Sequence, residues 1–346
     1  MKIDKFNLID NNRVFIIAEL SANHNGNLNT AIETIKAAKR AGADCIKLQT
    51  YTPDTITIDS DKFDFIINDT IWAERKLYDL YQEAYTPWEW HEALFKVAES
   101  EGLICFSSPF DKSAVDFLEK LNAPAYKIAS FEITDIPLIE YIASKGKPVI
   151  ISTGIAELED IELALDACRR MGNNDIALLK CTSSYPAPIN EANMCMIKDL
   201  GERFGVISGL SDHTIGTTVP IVATVFGAKI IEKHFILDRT IGGPDASFSM
   251  NEEEFTIMVK AIREAESAIG KIDYTLTNKQ LKGKDFSRSL YVVKDVKEGD
   301  IVSEENVRSI RPGFGLHPKY LSIVLEKKFL KNVARGERFD LKMIDQ

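Results

Sequence analysis

The sequence predicts an α/β protein. A (β/α)8 TIM barrel is expected over residues 1–270, a polar linker over 271–286, and a small β-rich domain over 287–346. Three observations predict this. Eight short apolar runs recur through the first two thirds of the chain. Helical periodicity falls between them. No glycine-rich dinucleotide fingerprint follows the first run, which argues against an open doubly wound sheet.

The runs are VFIIAEL (14–20), DCIKLQT (44–50), LICFSSP (103–109), AYKIAS (125–130), PVIISTG (148–154), IALLKCTS (176–183), VISGLSDH (206–213) and KIIEKHF (229–235). They are nearly continuous in hydrophobicity, as strands covered on both faces must be. AIETIKAAKRAGA (31–43) spaces Ile32, Ile35, Ala38 and Lys39 as a helix that stops at Gly42, and further helices are expected near 112–121, 157–170, 217–226 and 251–269. NEEEF (251–255) reads as an acidic first turn favoured by the helix dipole. Residues 51–87 form a long insertion after the second run, with WAERKLYDLYQEAY (72–85) helical in pattern; long loops on this face of a barrel are more often functional than idle. Its aromatic cluster of Trp72, Tyr78, Tyr81, Tyr85, Trp88 and Trp90 reads first as loop packing and second as a sugar-stacking surface. KIDYTLTNKQLKGKDF (271–286) is polar and poor in core residues, and beyond it short strands alternate with turns such as Lys297–Asp300 and Arg311–Gly315. About 60 residues is marginal for an independent core, so this domain is expected to dock on something.

The 346 residues exceed the ~250 of a single barrel, which leaves room for the second domain. Forty-two Lys and Arg against 52 Asp and Glu give a formal charge of -10, so no nucleic-acid partner and no anionic membrane is expected. No apolar run approaches a ~20-residue span, and MKIDKFNLIDNNR lacks the apolar centre of a signal peptide. Five cysteines without a CxxC pair read as buried thiols in a reducing compartment, and a cytoplasmic location is expected.

In such a barrel the chemistry sits where strands run into βα loops. The polar residues there include Glu19, Lys47, Gln49, Ser107, Ser108, Lys127, Ser130, Ser152, Thr153, Thr182, Ser183, Ser211, His213, Glu232 and His234. Lys47 and Gln49 alternate, as do Glu232 and His234, so each pair faces one side of its strand. Lys47 and Lys127 are ammoniums in apolar strands. The bland reading is an internal ion pair with Glu19. The functional one is a pocket for a phosphate held by two ammoniums and several hydroxyls, with burial depressing either lysine unless an anion is present. His213 and His234 end consecutive strands and suggest a shared divalent metal that keeps open positions for substrate. His24 follows the first strand, in place to orient substrate or Glu19, whereas His91 and His317 read as structural.

IAELSANHNG (17–26), IKLQT (46–50), FSSPF (106–110), YKIAS (126–130), ISTG (151–154), KCTSSYP (180–186), GLSDHT (209–214) and IEKHF (231–235) together resemble the sialic acid synthase family, and the small domain resembles that family's C-terminal antifreeze-like (SAF) domain. Within the family, TYTPDT (50–55), residues 72–91, FSSPF and ASFE (129–132) look most like the pseudaminate branch. The resemblance implies a transferase that condenses phosphoenolpyruvate with an amino sugar, 2,4-diacetamido-2,4,6-trideoxy-L-altropyranose for this branch, to give a nine-carbon 2-keto acid and phosphate. It implies that His213 and His234 hold Mn2+ or Mg2+, that Glu19 is catalytic, and that Lys47, Ser108, Lys127, Ser130, Ser152, Ser183 and Ser211 hold phosphoenolpyruvate. It places Asn23, Gln49, Phe110, Glu132, Tyr185 and Asp245 at the substrates. It further implies a domain-swapped homodimer in which Arg311, and with it Arg288, reach the partner's barrel. Ser183 stands where the N-acetylneuraminate branch has Asn, Ser108 where it has Thr, and Arg288 where it has Phe, which speaks against N-acetylmannosamine as acceptor. The alternatives are N-acetylneuraminate or legionaminate synthesis within the family, a Schiff-base aldolase using Lys127 or Lys47, and a non-catalytic sugar-binding protein.

Overall fold

A computed structural model describes residues 1–9, 13–68 and 70–345. Asp10, Asn11 and Asn12 at the chain start, Asp69 in the long insertion and Gln346 at the end of the small domain lie outside the described residues. The chain divides into two compact units, Met1–Gly270 and Lys271–Gln346.

The first unit opens with a two-stranded hairpin, β1 (Lys2–Ile3) and β2 (Phe6–Asn7). Eight parallel strands then close a barrel: β3 (Phe15–Glu19), β4 (Cys45–Thr50), β5 (Ile104–Pro109), β6 (Tyr126–Ile128), β7 (Val149–Ser152), β8 (Ile176–Cys181), β9 (Ile207–Asp212) and β10 (Ile230–His234). They follow chain order around the ring, and β10 pairs with β3. All eight expected strands are therefore present, each trimmed by a residue or more at most ends.

Their continuous hydrophobicity has a period-two cause. Phe15, Ile17, Cys45, Ile104, Phe106, Ala125, Ile150, Ala177, Leu179 and Ile230 point inward and fill the barrel floor. Ile3 and Leu8 close that floor from below; they come from and beside a hairpin too short to announce itself in the sequence pattern. The alternate residues, among them Ile16, Ala18, Ile46, Leu48, Leu178 and Ile231, pack outward on helices. Each fully buried aliphatic or phenyl side chain of this kind stabilises by about 1.5–3 kcal/mol. On β9 the floor position is Gly209, where a Cβ would overlap the Ile230 carbonyl and the Leu179 side chain, so a glycine is required there.

The helices are α1 (Leu28–Arg40), α2 (Pro53–Ile56), α3 (Leu77–Ala84), α4 (Trp88–Ser100), α5 (Lys112–Lys120), α6 (Ile136–Ala143), α7 (Leu158–Arg170), α8 (Met196–Phe204), α9 (Thr218–Val225) and α10 (Glu252–Ile269). In α1, Asn27 accepts the Thr30 N–H, and Ile35 and Ala38 are buried as expected. Lys39, counted in the same stripe, is instead exposed in the last turn, where its charge suits the dipole. The acidic start of α10 forms a capping box between Asn251 and Glu254. The helix expected over 72–85 is shorter. It begins at Leu77, because Glu74 takes φ 70° and Lys76 is drawn into an antiparallel bridge with Ile66.

The second unit begins in the stretch expected to be plain linker. That stretch contains a short helix, α11 (Asn278–Gly283), capped by Thr277. β11 (Ser289–Val292) and β12 (Val307–Ile310) then pair antiparallel, and a short helix, α12 (Leu321–Val324), follows. Leu290, Val292, Val302, Val307, Val324, Phe329 and Phe339 form this unit's own core.

Candidate active site

The alternation that fills the barrel floor also builds its mouth. Two residues beyond each inward floor residue comes a polar or reactive one: Glu19 after Ile17, Lys47 after Cys45, Ser108 after Phe106, Lys127 after Ala125, Ser152 after Ile150, Cys181 after Leu179, Ser211 after Gly209 and Glu232 after Ile230. Strand pairing sets Glu19 beside Lys47 on one side and His234 on the other, and Ser211 beside Glu232.

These side chains open into a cavity of about 420 Å³, a size suited to small-molecule substrates. All five residues expected to be catalytic line it: Glu19, Lys47, Lys127, His213 and His234. So do Gln49, Phe110, Ser130, Glu132, Ser152, Tyr185, Ser211 and Asp245. Ser108 and Ser183 stand just behind. Lys47 Nζ donates to Ser108 Oγ at 3.3 Å, and the Ser183 and Ser130 hydroxyls are 2.7 Å apart. Asn23 is not on the wall; its amide donates to Phe235 O and Ser249 Oγ and braces the loop after β3. His24 is likewise withdrawn, with Nδ1 accepting from Gly26 N and Nε2 facing Thr86 Oγ1. Burial lowers the His24 and His91 imidazoles to about 4, so both are neutral structural groups at pH 7. Arg288 and Arg311 belong to the second unit, where Arg288 donates to Ser309 O and Arg311 precedes Pro312.

Two ammoniums and two carboxylates meet inside. Lys47 Nζ is 2.8 Å from Glu19 Oε2 and 3.3 Å from Glu232 Oε1. Lys127 Nζ donates to Ser152 Oγ at 2.7 Å and lies 3.9 Å from the same Glu232 oxygen. The internal ion pair and the anion pocket are thus one constellation. Burial alone lowers a lysine, but Glu19 and Glu232 outweigh it at Lys47 and hold that ammonium above its ordinary value. Burial prevails at Lys127, which is lowered. Burial is expected to depress either lysine unless an anion is present; at Lys47 the protein supplies that counter-charge itself, through Glu19 and Glu232. Burial also raises Glu19, whereas at Glu232 Lys127 and Lys47 overcome burial and hold the carboxyl low. Desolvation pushes the half-buried Glu132 carboxyl up to about 7.

The sequence marks Glu232 as a strand-end residue without giving it a role, although its two-residue spacing from Ile230 and His234 is a sufficient signal. Its Oε1 accepts from Ser211 Oγ, while Oε2 has no partner. The length of the insertion points to function for the segment as a whole, yet not to its individual residues. Ile56, Ile67, Trp72, Leu77, Leu80, Tyr81 and Ala84 all line the cavity. The aromatic cluster divides accordingly. Trp72 and Tyr81 face the cavity, whereas Trp88 stacks on Phe117 and Trp90 packs against His24.

The two imidazoles lie 5.4 Å apart, centroid to centroid. His213 Nδ1 is 3.0 Å from Thr182 O, so it carries the proton and leaves Nε2 with a free lone pair. His234 Nδ1 is buried without a hydrogen-bond partner, 3.5 Å from Asp245 Oδ2, which in turn accepts from Ser21 Oγ. Such outer-shell carbonyl and carboxylate partners are what orient metal-binding imidazoles. Among the described residues no three His, Cys, Asp or Glu cluster tightly enough to hold a metal alone. The donor set therefore fits an open, two-nitrogen divalent site completed by substrate or water, and not a closed structural one.

Residues 34–274 match the NeuB family and residues 287–344 the SAF domain. The chain is 50% identical over 337 residues to the pseudaminic acid synthase of Campylobacter jejuni, covering 97% of this chain and 98% of that protein. It is 50% identical to the pseudaminic acid synthase of Helicobacter pylori, covering 91% and 93%. Among solved structures, a spore coat polysaccharide biosynthesis protein of Bacillus subtilis superposes with a TM-score of 0.66 at 31% identity, covering 99% of each chain. With a matching barrel, a matching small domain and half of its residues shared with these synthases, the chain belongs to the NeuB family.

Proposed function

We propose that this chain is a pseudaminic acid synthase, a transferase that joins phosphoenolpyruvate to 2,4-diacetamido-2,4,6-trideoxy-L-altropyranose and releases phosphate. One observation carries the proposal beyond resemblance: the two ammoniums and the two imidazoles share one cavity. A phosphate-bearing enol and a carbonyl acceptor can meet there.

His213 and His234 are the residues that would hold Mn2+ or Mg2+, whose chemistry is to polarise the acceptor's carbonyl oxygen. The chain's own groups do the rest. Lys47, Lys127 and the hydroxyls of Ser108, Ser130, Ser152 and Ser211 bind the donor's phosphate and carboxylate as point charges and hydrogen-bond donors. Held so, the donor's methylene carbon faces the acceptor carbonyl carbon; such positioning is worth ~7–11 kcal/mol. The new carbon–carbon bond draws electrons from the enol, breaks the acceptor's C=O π bond so that its oxygen becomes an alkoxide that takes up a proton, and leaves an oxocarbenium-like centre at C2. Glu19 takes a proton from the water that adds there, a task suited to a carboxylate whose proton affinity burial has raised. The tetrahedral carbon then breaks its bond to the phosphate oxygen, and the two lysines neutralise the leaving group.

The test is phosphate release from phosphoenolpyruvate over a panel of amino sugars, repeated in oxygen-18 water. Label should enter the keto acid and not the phosphate. Labelled phosphate would defeat the proposed bond cleavage, and borohydride trapping of a lysine adduct with pyruvate would favour an aldolase.

Glu132 sets a pH dependence. With its carboxyl at about 7, it is neutral below that pH and a carboxylate above. Only the carboxylate accepts a charge-assisted bond from acceptor N–H or O–H groups. The acceptor KM should fall severalfold as pH rises through 7, and Glu132→Gln should flatten that profile while leaving the phosphoenolpyruvate KM unchanged.

We also propose that the working unit is a cytoplasmic homodimer in which Arg288 and Arg311 of a second copy complete each site. Mixed subunits carrying His234→Ala and Arg311→Ala should regain part of the activity that each lacks alone. No recovery, with subunit exchange demonstrated, would mean that each chain builds its site alone.

A further inference from the structure

We propose that the insertion between β4 and α4 is a specificity wall that reads the methyl-bearing end of the acceptor and selects 6-deoxy, N-acylated amino sugars over hydroxylated ones. This rests on the function proposed above and deepens it.

The cavity has two chemically different ends. Its floor is charged and hydroxylic, built from the strand ends. Its aliphatic lining comes largely from one segment, Ile56, Ile67, Leu77, Leu80 and Ala84, and Phe110, Ala129, Phe131 and Pro244 add apolar surface from other loops. The wall is close to the reacting groups. The Trp72 ring is 5.7 Å from Tyr185, and the Tyr185 ring is 4.4 Å from His213. It is also held in place. Trp72 Nε1 donates to Pro244 O at 3.0 Å, which pins the insertion to the loop carrying Asp245. Ile66 bridges to Lys76, and Lys76 Nζ reaches Asp59 at 2.7 Å and Asp61 at 2.9 Å. The segment also brings three hydroxyl-bearing side chains to the cavity, Tyr51, Thr70 and Tyr81; Thr70 Oγ1 accepts the Trp72 N–H.

An acceptor whose carbonyl carbon sits at the imidazoles must project its C4–C6 end away from the floor. That end meets the aliphatic wall. A C6 methyl and an acetamido methyl are complementary to it. A C6 hydroxyl would give up its water and find no partner on isoleucine, leucine or alanine. An apolar pocket rejects an added hydroxyl by up to ~10²-fold, and no more.

The experiment compares kcat/KM for 2,4-diacetamido-2,4,6-trideoxy-L-altrose with that for its 6-hydroxy analogue, using the full chain, phosphoenolpyruvate and phosphate release. The unsubstituted protein should prefer the 6-deoxy sugar by up to ~10²-fold. Leu77→Ser and Ile67→Ser should each cut that ratio about tenfold, through a raised KM for the 6-deoxy sugar. The phosphoenolpyruvate KM and the melting temperature serve as controls for folding. Trp72→Phe, which keeps a ring but loses the bond to Pro244, should also lower the ratio. Equal losses for both sugars, or an unchanged ratio in all three variants, would overturn the wall. The two readings separate cleanly. A 6-deoxy preference shown only toward a diastereomeric 2,4-diacetamido sugar would sink the proposed acceptor and keep the wall. A preference for N-acetylmannosamine would sink both.

Discussion

Replacing His213 or His234 by alanine is expected to reduce phosphate release by at least about 10³-fold and to abolish any response to added Mn2+ or Mg2+. The magnitude follows from the several kcal/mol that a polarising cation contributes to a developing oxyanion. Either imidazole alone leaves too few protein donors, because no third His, Cys, Asp or Glu completes the set among the described residues. The loss should appear in kcat with the phosphoenolpyruvate KM nearly intact, since the proposed phosphate contacts lie on Lys47 and Lys127. Exhaustive chelation of the unsubstituted protein should give the same loss, reversed by restoring the cation. Full turnover after chelation would remove the two imidazoles from that role.

Glu232→Gln should act first on stability. Glu232 is the carboxylate shared by Lys47 and Lys127, and all three side chains are almost wholly buried. Deleting one partner of a buried charge set costs about 3–5 kcal/mol, because the remaining charges lose their compensation. For a unit of this size that is a fall of roughly 5–15 °C in melting temperature. Phosphate should reverse much of it, since a bound dianion supplies the missing counter-charge; at a hundred times Kd it adds about 2.7 kcal/mol. Phosphate should therefore raise the melting temperature of Glu232→Gln more than that of the unsubstituted protein. The charge pairing also sets a pH window for Glu232. Its carboxyl is held low in the fold, so its stabilisation is present above the ordinary carboxylate range and is lost as pH falls through the lowered value. The substituted protein should lack that part of the acid transition. An equal phosphate shift in both proteins, measured by differential scanning fluorimetry, would mean that Glu232 does not occupy the donor's phosphate site.

Much of the site is legible in the residues themselves. Period-two alternation is a local property of strands, so Lys47 with Gln49, and Glu232 with His234, fall on one face by spacing alone. Strand ends in a barrel converge by topology, which is why His213 and His234 pair across 20 intervening residues. Asn23 is legible only by resemblance. Its loop position matches the motif, yet Asn23 is not among the residues lining the cavity and its amide donates to Ser249 Oγ.

The order and type of the barrel elements and the inward polar residues at their ends are written in the chain. They depend on hydrophobic periodicity and residue type, which act over a few neighbours. The charge states of Lys47, Lys127, Glu19 and Glu232 are not. They depend on which buried groups come within about 4 Å of one another, and those groups lie tens to hundreds of residues apart. The same holds for the aliphatic wall. Its helices are faintly visible in the pattern, but their placement at the cavity depends on distant contacts, among them the bond from Trp72 to Pro244, 172 residues on, and the packing of Trp72 on Tyr185.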